Sequence, residues 1–187
     1  MKPAQVARTE LIRQARHGDR QAFDALAGAM VDRLYSVARL ILRDADRAED
    51  ATQETLVRCW RDLPALRDPE RFDAWVHRLL LNAINDEFRV HRRHQANVRL
   101  LRLEPSVADA SGAIALREQL ERGFERLTPD HRAVVVLRLY LGLSIEETAA
   151  TIGIPAGTAK SRLHYATEAM RLALEADARL PGREVSA

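Results

Sequence analysis

Apolar residues recur at steps of three and four along most of this chain. Phe23, Leu26, Met30, Leu34, Val37 and Ile41 make one continuous stripe. That spacing buries one face of a helix and leaves the other face wet. The pattern predicts helices over about 4–16, 20–43, 46–62 and 69–93, with Gly18 as a stop for the first and Gly28 as a candidate break in the second. The period fails between Gln95 and Ala113, where "QANVRLLRLEPSVADASGA" mixes polar, small and Pro residues. A stretch that long without a period reads as a flexible linker rather than a loop inside one domain. Periodicity resumes at Ile114. The expected fold is all-α, with two small helical domains at 1–94 and 114–180, a linker at 95–113 and a tail at 181–187.

The second domain carries strong local punctuation. In "LTPDHRAVVVLRLYLGLS", Thr128 is placed to cap a helix whose first residue is Pro129, and Gly142 marks its end. Ser144 and Glu147 have the spacing of a capping box. A short helix to about Thr151 follows, then Gly153 for a tight turn, then Pro155 at the head of a longer helix. Short helix, glycine turn and longer helix are the parts of a helix-turn-helix. A wheel at about 100° per residue turns Ala159, Leu163, Ala166 and Met170 inward. It turns Lys160, Ser161, His164, Glu168 and Arg171 outward, with Tyr165 beside them and Arg162 on a flank. The first turns of such a helix enter a major groove, where Lys and Ser donate to base edges. A merely solvated helix face would show the same wheel.

Charge is uneven in the first domain. "DRAEDATQETLVRCWRDL" places Glu49, Asp50, Gln53 and Glu54 together at helical spacing, and sets Leu56 and Trp60 four apart. The acidic face suits a basic partner surface or plain solvent. In "RFDAWVHRLLLNAINDEFRVHRR", Phe72, Trp75, Leu79 and Leu80 have apolar spacing, while Asn82, Asn85, Asp86 and Arg89 share a polar face. Arg89, Arg92, Arg93, Arg99 and Arg102 then follow without an intervening acid. Arginines near aromatic rings suit a nucleic-acid strand, by phosphate pairing and base stacking. Cations at a helix C-terminus are favourable in any case.

Composition narrows the function classes. Only two of the 29 basic residues are lysines, Lys2 and Lys160, and the net charge is just +2, so charge distribution matters more than its sum. The sequence pI near 9.0 adds little. Cys59 is the single cysteine, so no intrachain disulfide can form, and a reducing cytoplasm is the simple reading. No apolar run is long enough for a signal core or a membrane span. Glu87, His91 and His94 have metal-ligand spacing, but nearby arginines would repel a cation, so no metal or other cofactor is expected. No nucleophile elbow, P-loop or zinc-protease motif occurs, so no catalytic residues are assigned and the chain is not expected to be an enzyme.

At these motifs the chain resembles a short sigma factor of the extracytoplasmic-function (ECF) type, in the sigma-70 family. "AEDATQETLVRCWR" is similar to the helix of that family that binds core RNA polymerase. "FDAWVHRLLLNAINDEFRVHRR" is similar to its promoter-melting segment, and "LTPDHRAVVVLRLYLGLSIEETAATIGIPAGTAKSRLHYA" to the domain that reads the −35 element. The resemblance implies a cytoplasmic promoter-specificity subunit whose partners are core RNA polymerase, promoter DNA and an anti-sigma factor. By the same resemblance, Asp50, Gln53, Glu54 and Arg58 would dock on the polymerase clamp. Asn82, Asn85, Arg89, Arg92 and Arg93, with Arg67 and Arg71 from the 64–71 loop, would hold the opened −10 strand. Lys160, Ser161 and His164 would face the −35 groove, with Tyr165 beside them and Arg162 near the DNA backbone. Tyr165 stands where the family often has Arg, and Asn85 where it often has an aliphatic residue. The alternatives are a helix-turn-helix regulator that never binds polymerase, and a sigma mimic that only sequesters an anti-sigma protein.

Overall fold

A computed structural model describes residues 3–97 and 121–178, which fall into two separate helical units. The first unit holds α1 (Pro3–Arg16), α2 (Arg20–Leu42), α3 (Ala45–Asp62) and α4 (Phe72–Asn97). Two 3-10 turns, Leu63–Ala65 and Pro69–Arg71, lead from α3 into α4. Gly18, at φ +91°, ends α1 in the left-handed region where glycine is unhindered. The Asp19 side chain then accepts from the Ala22 amide at 3.1 Å and opens α2. Asp44 does the same for α3 through the Arg47 amide at 3.0 Å.

Three details depart from the sequence pattern. First, α2 runs unbroken through Gly28. A glycine inside a helix costs about 1 kcal/mol, whereas burying each of Leu26, Met30, Leu34, Val37 and Ile41 in one stripe contributes about 1.5–3 kcal/mol. Second, although Leu56 and Trp60 are the largest apolar residues of α3, its buried face is Ala48, Ala51, Thr52, Thr55 and Cys59. Small side chains let α3 lie close to its neighbours. The Thr52 and Thr55 hydroxyls satisfy themselves on the Ala48 and Ala51 carbonyls at 2.7 and 2.6 Å. Trp60 stays 40% exposed and tilts against Phe23, with centroids 5.0 Å apart. Third, α4 starts at Phe72 and buries Phe72, Val76, Leu80, Ala83 and Ile84, leaving Trp75 and Leu79 half-buried. It also extends to Asn97, so Gln95–Asn97 are helical; no Gly or Pro interrupts the chain there. The rest of the expected linker, with Arg99 and Arg102, lies outside the described residues.

The described part of the second unit opens on helical residues 121–125, here α5. Then come α6 (Pro129–Val135), continuing into a π-helical turn at Val136–Tyr140, α7 (Ile145–Ile152) and α8 (Ala156–Ala178). The sequence punctuation is realised in detail. Thr128 accepts from the His131 amide at 3.3 Å. Ser144 and Glu147 close a full capping box at 3.1 and 2.7 Å. Gly142 and Gly153 sit at φ +74° and +81°. The core joins Leu127, Val135 and Ala166, with Phe124, Leu163, Ala169 and Met170 packed against them. The π turn, closed by the Leu141 amide on the Val136 carbonyl at 3.0 Å, leaves Leu139 and Tyr140 exposed.

Candidate nucleic-acid and protein-docking faces

Because α3 turns its small residues inward, most of its charged residues face out, Arg47 being the most buried exception. Asp50, Gln53 and Glu54 are exposed along one face, and Arg58 lies at its inner edge, only 21% exposed. Together with Val57, Ala83, Asp86 and Glu87 they line a groove between α3 and α4. Gln53 donates to Glu49 at 3.1 Å. Arg58 donates to Glu54 on its own helix at 2.7 Å and to Asp86 on α4 at 2.9 Å. Those two carboxylates hold the Arg58 guanidinium even more firmly protonated than usual. Nearby, Arg47 lies 3.6 Å from Glu87 and over the Phe88 ring at 5.2 Å. The groove therefore carries four carboxylates, Asp50, Glu54, Asp86 and Glu87, against one lining cation. On the buried face of α3, burial pushes the Cys59 thiol up to about 12, which keeps it protonated and unreactive.

Val57 is the residue on this face that sequence reasoning passed over. It is 58% exposed and sits between the polar groups that line the groove. An apolar side chain three and four positions from Glu54 and Gln53 was the available signal.

The other face belongs to α4. Asn82, Asn85 and Arg89 are exposed at helical spacing, while the side chains of Arg92 and Arg93 lie outside the described residues. Arg89, 71% exposed, donates to Asp86 at 3.1 Å. Asp86 is thus turned toward α3 as well as along α4, rather than standing in the polar face as its spacing suggested. Arg67 and Arg71 are exposed in the connection before α4, with Arg71 3.5 Å from Asp68.

In the second unit, Ala159, Ala166 and Ala173 are the fully buried residues of α8, at seven-residue spacing, and Leu163 and Met170 are half-buried. Alanines let α8 sit close against α6 and α7. Lys160, Ser161, His164 and Tyr165 all face outward from the first half of the helix. Ser161 returns its hydroxyl proton to the Gly157 carbonyl at 3.0 Å, leaving oxygen lone pairs outward. The His164 and Tyr165 rings lie 5.7 Å apart, and Tyr165 is 65% exposed. Arg162 is engaged differently: it reaches across to Asp130 in the first turn of α6 at 2.9 Å and ties the two helices. Farther along, Arg171 is enclosed by Glu168, at 3.0 Å, and by Glu175, which neutralises that end of the outward face.

The geometry is therefore a helix-turn-helix with exposed donors near the start of its second helix. A separate unit bears an acidic groove and a row of polar and basic residues. Among the described residues no group of His, Cys, Asp and Glu could hold a metal ion, and no helix is long and apolar enough to cross a membrane.

Comparison with known proteins places both units. Residues 26–94 match Sigma-70 region 2, and residues 117–170 match Sigma-70, region 4. The chain is 34% identical over 171 residues to the RNA polymerase sigma-E factor of Streptomyces avermitilis, covering 90% of this chain and 95% of that protein. It is 36% identical over 146 residues to the ECF RNA polymerase sigma factor SigL of Mycobacterium tuberculosis, covering 76% and 82%. Among solved structures it is similar to CnrH in complex with the cytosolic domain of CnrY, with a TM-score of 0.65 and 27% identity over 91% of this chain and 99% of that one. On this evidence the chain belongs to the sigma-70 family, as a factor of the extracytoplasmic-function type.

Proposed function

We propose that this sigma factor docks on core RNA polymerase through the α3–α4 groove, reads a −35 element with α8 and holds the opened −10 strand with α4. Asp50, Gln53, Glu54 and Arg58 supply the polar contacts of the groove, and Val57 supplies an apolar one. A basic partner surface fits its excess of carboxylates. Lys160, Ser161, His164 and Tyr165 meet base edges, and Arg162 holds α8 at its angle to α6 as well as lying near the DNA backbone. Asn82, Asn85, Arg89, Arg92 and Arg93, with Arg67 and Arg71, take the strand. The stretch from residue 98 to 113 tethers the two units so that both elements are engaged at once.

The work is differential binding of duplex and opened DNA, with no chemistry of its own, and it takes place in the cytoplasm. An anti-sigma protein restrains it; CnrH, to which this chain is similar, is bound by the cytosolic domain of CnrY. The observation that carries the proposal is the pairing, in one chain, of the outward donors Lys160 and His164 with the acidic α3–α4 groove. A simple repressor needs the first and has no use for the second.

Transcription in vitro with core polymerase tests it. The chain is expected to add specific transcripts on promoters of the family's type, and no added transcript on any of them refutes the reading. Charge reversal at Arg92 and Arg93 is expected to abolish strand opening while core capture persists; unchanged opening removes those two residues from the assignment.

A further inference from the structure

A second cavity of the first unit shares no residue with either working face. It holds about 170 Å³ between α1, α2 and α4. Its walls are of two kinds. Met30, Leu34 and Val76 make an apolar side and are themselves nearly buried. Arg8, Arg33, Asp73 and His77 make a polar one.

The four polar groups are not equally engaged. Arg8 commits both terminal nitrogens to the two oxygens of Asp73, Nη1 donating to Oδ2 at 2.7 Å, and rests over the Phe72 ring. That pair neutralises itself. Arg33 is exposed, and its charge acts on both Asp73 and His77, yet among the described residues it makes no hydrogen bond or ion pair. His77 is 9% exposed, and its buried Nδ1 has no partner. A guanidinium without a counter-charge and an imidazole without a partner thus line one small space beside an apolar wall. The complementary ligand is an anion that accepts hydrogen bonds and carries a short apolar tail.

We propose that this cavity is a binding site for a small organic carboxylate. The carboxylate accepts from the Arg33 guanidinium and the His77 imidazole, and the short alkyl part lies on Met30, Leu34 and Val76. The size suits this class. Pockets for drug-sized ligands run to about 300–1,000 Å³, so this one takes only a few carbon atoms. The charge suits it too. With the Arg8–Asp73 pair closed, one unmatched positive charge remains, and a multiply charged anion would be repelled by Asp73. An occupant touches α1, α2 and α4 together, so it stabilises the first unit by mass action.

Binding is linked to protons. Burial, with Arg33 of α2 and Arg8 of α1, holds the free imidazole below its ordinary value, against the pull of Asp73 on α4. A carboxylate placed beside it favours the charged form. Affinity therefore rises as pH falls, until the ligand itself protonates.

The test titrates the full chain with sodium butyrate at constant ionic strength and follows backbone amide shifts by NMR. Acetate, phosphate and chloride are the comparison arms. Butyrate is expected to bind with a dissociation constant on the order of millimolar, because so few atoms contribute. Its shifts should gather in α1, α2 and the start of α4. Acetate, shorter by two methylenes, should bind about three- to tenfold more weakly, and phosphate no better than acetate. Arg33→Ala, at an exposed position, should weaken butyrate by about fivefold or more. Arg39→Ala removes an exposed arginine of the same helix outside the cavity and should change nothing. Between about pH 7.5 and 6 the parent chain should gain about three- to tenfold in affinity, and His77→Gln should gain none.

Equal affinities for butyrate and acetate, or a tighter grip on phosphate than on butyrate, overturn the assignment to an organic carboxylate. Shifts that survive Arg33→Ala, or that Arg39→Ala reduces as much, are screening of surface arginines and overturn the site itself. If His77→Gln does not fold, Arg33→Ala and the ratio of butyrate to acetate decide the matter.

Discussion

Arg58 and Arg89 in the first unit already share carboxylate partners before any ligand arrives. Lys160 and His164 in the second unit stand exposed near the start of α8, while Arg162 on their flank and Arg171 farther along are spent on the protein itself. A paired cation must give up a carboxylate to gain a phosphate, so its net contribution is small. An exposed one gains the full release of counterions from the DNA. On the proposed roles, the second unit contributes affinity residue by residue. On the same roles, the first exchanges one set of ion pairs for another, which favours partner dependence over raw affinity. Substitutions in the two units should differ accordingly.

The largest effect breaks one unit and spares the other. Leu80 is fully buried in the first unit, and Leu80→Ala is expected to cost about 2–5 kcal/mol there. The unfolding of residues 121–178 should be unchanged, as read by hydrogen exchange of each unit. Equal loss of protection in both would mean that the units fold as one.

Next comes Lys160→Ala, expected to weaken binding to a −35 duplex by about 1–3 kcal/mol while core capture is unaffected. A gel-shift titration beside a polymerase pull-down measures both. A loss no greater than that of Arg89→Ala would erase the contrast drawn between exposed and paired cations.

Ser144→Ala is a smaller structural probe. It removes one half of the capping box at α7 and should destabilise the second unit by about 1 kcal/mol. Thermal unfolding reads it. DNA affinity should fall only as far as the helix-turn-helix loses occupancy of its folded form.

The smallest expected effect is a pH dependence confined to the first unit. Burial holds the His77 imidazole below its ordinary value, with Asp73 pulling it up and Arg33 and Arg8 pushing it down. Unfolded, this side chain takes a proton near its ordinary value of about 6.5. Folded, it resists until lower pH. Above that range both states are neutral and nothing changes. As pH falls through it, the unfolded chain binds the proton first, and stability drops until the folded protein also protonates. Thermal unfolding of the first unit between neutral and mildly acidic pH should show this loss, and His77→Gln should flatten it. The Arg8–Asp73 pair beside it works at more acid pH: the hydrogen-bonded arginine keeps Asp73 below the usual carboxylate range, so its contribution fades only as that carboxylate protonates.

Much of the second unit was legible before any coordinates. Thr128, Pro129, Ser144, Glu147 and Gly153 act within three or four residues of themselves, so their spacing already contains their interactions. The inward turn of α8 was legible too, because helical periodicity alone fixes which residues share a side. The rest of the α3 core was not legible for the opposite reason. Leu56 and Trp60 are its largest apolar residues, yet a close approach between helices selects Ala, Thr and Cys for the buried face. Hydrophobicity ranks residues by size, and this packing ranks them by smallness.

The sequence by itself determined the helices, their caps, the helix-turn-helix and the list of polar residues available to meet a partner. Those follow from short-range sterics and hydrogen bonds, which travel with the local chain. Only the tertiary structure decided which charges are spent and which are offered. Arg58 meets Asp86 across 28 residues, and Arg162 meets Asp130 across two helices. Such pairs depend on the rotation of each helix about its own axis once the small-residue faces have locked together. No spacing in the linear chain records that rotation, and it is what separates arginines paired within the protein from those exposed to solvent.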